Sequence, residues 1–268
     1  MKLSNHFLLL LAPILFAGCT TFHVPETLGA VADTNTNAFG YHPLDPLPIK
    51  IINEGGQPMT NTRLLNALPD ETMRLAIGQV SKSGGLKFTV ATAGVEGNSY
   101  VVILDYIKFN TNSFNVQLQK ENQFEMKATL LDDSSRQQAD VVVPVYIGIG
   151  LRLTANITVI KGNVDLGNLF AIGVQASAQK ISGTLTVQTL GISGENISGS
   201  IPMPSEINAT TIQNAILALG TIKAKMYEDK TLITPRVVGV YNNLGGNAET
   251  INGFISAILQ KPKTLEVP

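Results

Sequence analysis

The feature that most limits the fold of this chain is an unbroken alternation of apolar residues through residues 141–159. The apolar positions are Val141, Val143, Val145, Ile147, Ile149, Leu151, Leu153, Ala155, Ile157 and Val159. The positions between them include Tyr146, Gly148, Gly150, Arg152, Thr154, Asn156 and Thr158. A period of two predicts a β-strand with one buried face. At about 3.3 Å per residue this strand would approach about 60 Å, roughly three times the usual length.

Shorter alternating stretches precede this strand and predict a meander of antiparallel strands. Polar or glycine-containing turns are expected between them at residues 94–97, 110–112 and 120–123. The predicted strands are Leu86–Thr92, Ser99–Phe109, Ser113–Gln119 and Phe124–Leu131.

The alternation resumes after the long strand, over Ile172–Ala178, and then changes phase by one residue. A change of phase requires a bulge or a turn, which we expect near Gln179-Lys180. Residues 141–194 therefore form one long-strand region with few charges.

Residues 70–84 have the apolar spacing of a short helix. Asp70 would cap it and Gly84 would end it. A first strand is expected before it, at Leu47–Ile52. The apolar face of the helix would consist of Met73, Ile77 and Val80.

The C-terminal part predicts two further helices with a strand between them. Thr210 and Gln213 match a capping box ahead of a helix over residues 210–227. Thr231–Tyr241 is expected to be the last strand, and residues 247–259 a terminal helix that Asn247 would cap.

These patterns predict an α+β fold, mainly antiparallel β-sheet with long strands, covered by two or three helices. Residues 47–268 would form a single body. Residues 19–46 contain three prolines and a polar stretch at 33–37, which favour a flexible tether.

The N-terminus carries the second informative pattern. After Met1-Lys2, an apolar run over residues 7–16 leads to Phe16-Ala17-Gly18-Cys19, and Cys19 is the only cysteine of the chain. This resembles the signal peptide and lipobox of a bacterial lipoprotein, with residues 1–18 as the signal. The resemblance implies cleavage between Gly18 and Cys19 and acyl chains, such as palmitate, on Cys19. The alternatives are an ordinary secretory signal with a leftover cysteine, or a cysteine buried as a small apolar residue.

The resemblance also implies a location. Thr20 stands where an inner-membrane retention signal would have aspartate. The expected location is therefore the cell outer membrane, with the body on either the periplasmic or the surface side. The N-terminal acyl chains would be the contact with the membrane.

The composition excludes several classes of function. The net charge is −1 and charged residues make up only 15% of the chain, which argues against nucleic-acid binding. Histidine occurs only at positions 6, 23 and 42, all predicted to lie in the signal or the tether. We therefore expect no histidine-based catalytic set and no histidine-based metal site. An enzyme that uses carboxylates or hydroxyls alone has no positive support in the sequence, so no cofactor and no enzyme activity are expected.

Four short motifs have a simple structural interpretation. Ser177-Ala178-Gln179-Lys180 matches S-x-x-K but lies in a predicted strand, so a chance match is favoured. Asp132-Asp133 lacks the spaced ligands of a calcium loop and is expected to be a polar turn. Gly245-Gly246-Asn247 is expected to be a turn with a helix cap rather than an anion site. Glu228-Asp229 is expected to be a solvated helix end.

Three functions remain open. The first is a non-catalytic envelope lipoprotein that binds a partner protein, a second copy or an apolar ligand, or has a structural role. The second is a membrane-inserting oligomer whose hairpins come from residues 141–194. The third is a lipid carrier with a groove around the helix at 210–227. A plain sheet packed on helices is the commonest arrangement for such strands and favours the first.

Overall fold

A computed structural model of the chain describes residues 40–89, 91–121, 126–171, 179–245 and 248–268. It is mainly antiparallel β-sheet with a few helices, which confirms the predicted fold class. The strands are β1 (Gly40–Leu47), β2 (Lys50–Asn53), β3 (Asp70–Val80), β4 (Leu86–Thr89), β5 (Ala93–Gly94), β6 (Ser99–Lys120), β7 (Met126–Leu131), β8 (Val141–Val159), β9 (Val164–Asp165), β10 (Ile181–Leu190), β11 (Ile192–Ser193), β12 (Ser205–Glu206), β13 (Leu232–Ile233), β14 (Arg236–Asn242) and β15 (Thr264–Val267). The helices are α1 (Asn61–Asn66), α2 (Glu195–Ser198), α3 (Ala209–Lys225) and α4 (Ala248–Gln260), with a 3-10 helix at Asp133–Gln138.

The main sheet is organised around the two longest strands, β6 and β8. Within the described residues its strands follow the order β1-β14-β8-β6-β3-β4, with β10 and β12 beside β8 and β7 beside β6. β1 also lies against β3, so the sheet curls back on itself. We call it the curled sheet. It has an outer face, covered by helices, and an inner face.

The long strand predicted at Val141–Val159 is confirmed as β8. One edge of β8 pairs with β6 over nearly its whole length. The other edge is shared, because residues 145–148 pair with β14 and residues 150–159 pair with β10. β8 thus joins the strands β6, β3, β4 and β7 on one side to the strands β14, β1, β10 and β12 on the other.

The apolar series of β8 lies on the outer face and forms the centre of the main core. Its members from Val143 to Val159 are at most 1% exposed. Each of the four helices contributes apolar side chains to this core. From α3 these are Ile212, Ala215, Leu219 and Ile222, and from α4 they are Ile251, Phe254, Ile255 and Ile258.

The inner face holds two smaller apolar clusters that contain no helix residue. One surrounds Val101 and Ile103 of β6, and the other surrounds Ile107 and Phe109. Tyr41 of β1 packs against both of them.

Two glycines of β8 allow the tight curl. A β-carbon at Gly148 would lie 2.2 Å from the carbonyl oxygen of Lys108, and one at Gly150 would lie 2.0 Å from that of Tyr106. Real side chains do not approach a backbone this closely. Glycine is a common device for strong local bending of a strand, and here it occupies the inner face.

The predicted helix at residues 70–84 is wrong, because Asp70–Val80 forms β3. Positions 73, 77 and 80 fit helical spacing, but Met73, Leu75 and Ile77 fit strand alternation equally well. β3 pairs with β6 over its entire length, and this non-local pairing outweighs the local pattern.

The predicted turn at residues 110–112 is also wrong. β6 runs through it as one strand of 22 residues, because β8 pairs continuously alongside. The strand predicted at Leu86–Thr92 is described as β4 over Leu86–Thr89, and residues 91 and 92 are not strand. The described part of the strand predicted at Phe124–Leu131 forms β7, and residues 124 and 125 lie outside the described residues.

The start of the body differs from the prediction. Residues 40–46, assigned to the tether, form most of β1, which pairs with β14 and buries Leu44. The strand predicted at Leu47–Ile52 is replaced by the end of β1 and by β2.

The C-terminal helices are confirmed with small changes at their ends. The capping box of α3 uses Asn208 and Thr211, not Thr210 and Gln213. The strand predicted at Thr231–Tyr241 is divided into β13 and β14, and β15 follows α4 as a later strand.

Candidate functional site

A fully buried ion pair is the most distinctive polar feature of the inner face. Asp105 of β6 and Arg152 of β8 lie directly opposite each other in the sheet register, and both side chains are 0% exposed. Arg152 Nε donates to Asp105 Oδ1 at 2.7 Å, and Nη2 donates to Oδ2 at 2.6 Å. This two-bond geometry is the strongest that a guanidinium and a carboxylate can adopt.

The remaining hydrogen bonds of the pair reach two further strands. Tyr41 of β1 donates its hydroxyl to Asp105 Oδ2 at 2.5 Å. Arg152 Nη1 donates to the carbonyl of Leu44 at 2.8 Å, and Nη2 donates to that of Val238 at 3.2 Å. The cluster therefore connects β1, β6, β8 and β14 at the point where the sheet curls. A buried charge is tolerated only when it is paired and hydrogen-bonded in this way.

The pKa values of the cluster favour a structural role. Burial raises the pKa of the Tyr41 hydroxyl well above its ordinary value, and the charge of Asp105 adds to the effect. Burial alone would lower the pKa of Arg152, but the charge and hydrogen bonds of Asp105 outweigh it and raise that pKa. Tyr41 thus stays protonated and Arg152 stays charged near neutral pH. Neither group is prepared to accept or release a proton, as catalysis by acid or base would require.

A second polar group lies at the surface between β3 and α3. Lys223 forms an ion pair with Glu71, and its Nζ lies 4.6 Å from the centre of the Tyr106 ring. The hydrogen bond from Lys223 lowers the pKa of Glu71, and burial raises that of Tyr106. On the same strand as Glu71, Met73 is 57% exposed and Leu75 is 37% exposed. We call Met73, Leu75 and the Glu71–Lys223 pair the open edge of the outer face.

Gly18 and Cys19, the predicted cleavage and lipidation residues, lie outside the described residues, as do residues 1–39 generally. The same holds for Ser177 and Ala178 of the S-x-x-K match, whereas Gln179 and Lys180 form the predicted turn ahead of β10. Of the glycine-rich motif before α4, only Gly245 is described.

The acidic motifs have simple surface roles. Asp132 and Asp133 begin the 3-10 helix, and Lys261 and Lys263 form ion pairs with them at 3.3 and 4.0 Å. Glu228 and Asp229 are exposed beyond the end of α3. Within the described ranges no three His, Cys, Asp or Glu side chains are grouped so as to hold a metal ion.

Sequence reasoning noted Arg152 only as one of the few charges of its region and did not single out Asp105. The available signal was Arg152 as the one charge of the strongly apolar strand β8, and Asp105 between the apolar residues Ile103 and Ile107 on one face of β6, because such charges must find a partner. No helix among the described residues combines the length and the apolar character needed to cross a membrane.

Comparison with known proteins gives no relatives. No protein-family model, no curated protein and no solved structure matches the chain.

Proposed function

We propose that this chain is a non-catalytic cell-envelope lipoprotein. Acyl chains on Cys19 anchor it to the outer membrane, and its body binds a partner protein or an apolar ligand, or has a structural role. The observation that carries the proposal is the apolar N-terminal run that ends in Ala17-Gly18-Cys19, the only cysteine of the chain. Residues 20–39 then separate Cys19 from β1, and as a flexible tether they would span about 25 Å.

The chemistry of the body supports a non-catalytic role. Asp105 and Arg152 are fully engaged with each other and with their neighbours, so they serve to hold the strands together. His42, the one histidine among the described residues, is 3% exposed and packs edge-on against the ring of Phe88 at 4.8 Å. An imidazole enclosed in this way is poorly placed to act on a substrate.

The packing of β8 favours this function over a pore. A pore hairpin would turn its apolar face toward lipid. Here that face is buried in the main core, where α3 packs on β8 and α4 packs on β7, and its apolar residues from Val143 to Val159 are at most 1% exposed. Insertion would require these helices to leave the sheet, at the cost of the main core.

The open edge of the outer face is the surface best suited to an apolar ligand or partner. Met73 and Leu75 expose apolar area beside the Glu71–Lys223 ion pair. A ligand on this surface could make apolar contacts and polar contacts together. α3 itself packs closely on the sheet through its apolar side chains, so we assign any ligand to this edge rather than to a groove beneath the helix.

Membrane fractionation of two variants tests the proposal. Cys19→Ser removes the acylation site, and we expect the protein to leave the membrane fraction. Thr20→Asp should move it from the outer to the inner membrane, while Thr20→Ser serves as the matched control and should stay in the outer membrane. A Cys19→Ser protein that remains in the membrane would refute the lipid anchor.

A further inference from the structure

The most exposed strand of the body is β2. It forms a two-stranded parallel sheet with β15, whose Leu265 and Val267 are buried against the core. All four residues of β2 are exposed. Within the described residues no strand pairs with its other edge. An exposed edge of this kind is a template for pairing with a further strand.

The hydrogen bonds to β15 show which backbone groups of β2 face away from β15, toward its unpaired side. The amides of Lys50 and Glu54 donate to the carbonyls of Lys263 and Val267. Because the direction of the backbone N–H and C=O groups alternates along a strand, those of Lys50, Ile52 and Glu54 point toward β15. The backbone groups of Ile51 and Asn53 therefore point outward.

The side chains of β2 are suited to pairing with an identical strand. Glu54 directly follows β2, and its amide continues the hydrogen bonding to β15, so Lys50, Ile52 and Glu54 alternate on one face with the apolar residue between a cation and an anion. Ile52 is 49% exposed. Neither Lys50 nor Glu54 forms an ion pair within the described part of the chain.

We propose that two copies of this chain associate through β2 as an antiparallel pair centred on Ile52. In this register Ile51 and Asn53 of one copy face Asn53 and Ile51 of the second copy, and their outward amides and carbonyls form four hydrogen bonds. Ile52 packs against Ile52 of the second copy. Lys50 lies opposite Glu54 of the second copy at both ends. Such a two-fold contact closes on itself, so it yields a dimer and not a filament.

The other registers that use the outward groups are less favourable. Centring the pair on Ile51 places Lys50 opposite Ile52, and centring it on Asn53 places Ile52 opposite Glu54. Each of these juxtaposes a charge and an aliphatic side chain. Only the register centred on Ile52 matches hydrogen bonds, apolar contact and charge together.

The contact is small, because only five residues of each copy take part. Stable interfaces bury roughly 1,200 Å² or more in total, so this dimer forms weakly in dilute solution. Confinement of both copies to one membrane by the proposed acyl anchor would raise their effective concentration. The pairing itself does not require the anchor, so it can be tested in a chain that lacks Cys19.

Disulfide trapping in the full-length Cys19→Ser chain tests the register, since an introduced cysteine is then the only thiol. Directly opposed residues of a non-hydrogen-bonded pair have α-carbons about 4.5 Å apart, which a disulfide can span. Ile52→Cys should therefore form a covalent homodimer under mild oxidation. Ile51→Cys is the matched control, because its nearest equivalent in the second copy is displaced by two residues, and Met203→Cys reports random collisions. A yield for Ile52→Cys no higher than for these controls would overturn the proposal, as would a disulfide to a different protein.

A charge exchange tests the end pairs. In the Ile52→Cys chain, Lys50→Glu places two carboxylates opposite each other at each end and should lower the dimer yield about fivefold. Adding Glu54→Lys restores opposite charges and should restore the yield. Circular dichroism verifies that each variant is folded. Failure of the double exchange to restore cross-linking in folded protein would contradict the register.

Discussion

The ring of Tyr41 occupies the space that a β-carbon at Gly239 would need. Such an atom would lie 2.5 Å from Tyr41 Cε2 and 2.8 Å from its hydroxyl oxygen. Gly239 belongs to β14, and Tyr41 belongs to β1, its neighbour in the sheet. The absence of a side chain at position 239 thus lets the hydroxyl of Tyr41 reach Asp105 and complete the buried cluster.

Gly239→Ala should destabilise the fold by about 1–3 kcal/mol, because the new methyl group displaces the Tyr41 ring from a packed site. Urea unfolding measures the change. Gly220→Ala is the matched control, since a β-carbon there meets nothing within 4 Å and the residue lies inside α3. That control should gain up to about 1 kcal/mol from helix propensity. Equal effects at the two positions would argue against the role of Gly239.

Arg152→Met should destabilise the fold by about 3–5 kcal/mol, because it leaves Asp105 charged and buried without its partner. The midpoint of urea unfolding reports the loss. The double variant Asp105→Leu with Arg152→Met should cost less than the single one, since it removes both charges together. A double variant that costs the sum of both single substitutions would show that the two side chains do not act as a pair.

Tyr41→Phe removes one hydrogen bond to a charged group and should cost about 1.5–3 kcal/mol near pH 8. The cost should shrink above pH 10. The pKa of Tyr41 is raised in the folded state, so its stabilising contribution is complete below the ordinary pKa of 10 and declines as the unfolded chain loses its proton. Unfolding free energies of both proteins between pH 8 and pH 11 measure this. If the two unfolding free energies differed by the same amount across that range, the raised pKa of Tyr41 would be contradicted.

Lys223→Gln should have a small effect on stability, at most about 1 kcal/mol, because both partners of its ion pair are partly exposed to water. The pKa of Glu71 is lowered by Lys223, so the contribution of the pair is present above the ordinary carboxyl pKa and is lost as the pH falls below it. Thermal melting of Lys223→Gln and the unsubstituted protein at pH 7 and pH 3 should show a larger difference at the higher pH. A loss comparable to that of Arg152→Met would contradict this interpretation.

The strong local patterns of the sequence predicted their elements correctly, and the weak ones did not. Val141–Val159 was predictable because its alternation extends far beyond any competing pattern. Residues 70–80 were not, since their apolar positions fit a helix and a strand equally. The continuity of β6 through residues 110–112 depends on pairing with β8, which local polarity does not reveal.

The buried cluster required information that a single sequence lacks. Asp105 and Arg152 are 47 residues apart, and they meet only because the register of β6 and β8 places them opposite each other. The approach of Tyr41 further depends on the curl of the sheet. The sequence could indicate that each buried charge needs a partner, but not which partner it finds.

The proposed lipid anchor requires that Cys19 of the mature protein carries acyl chains. Intact-mass analysis of the full-length protein, purified from membranes, tests it most directly. We expect a polypeptide that begins at Cys19, with an added mass equal to a diacylglyceryl group and an amide-linked acyl chain. A mature chain that begins at another residue, or that carries Cys19 as an unmodified thiol, would contradict it.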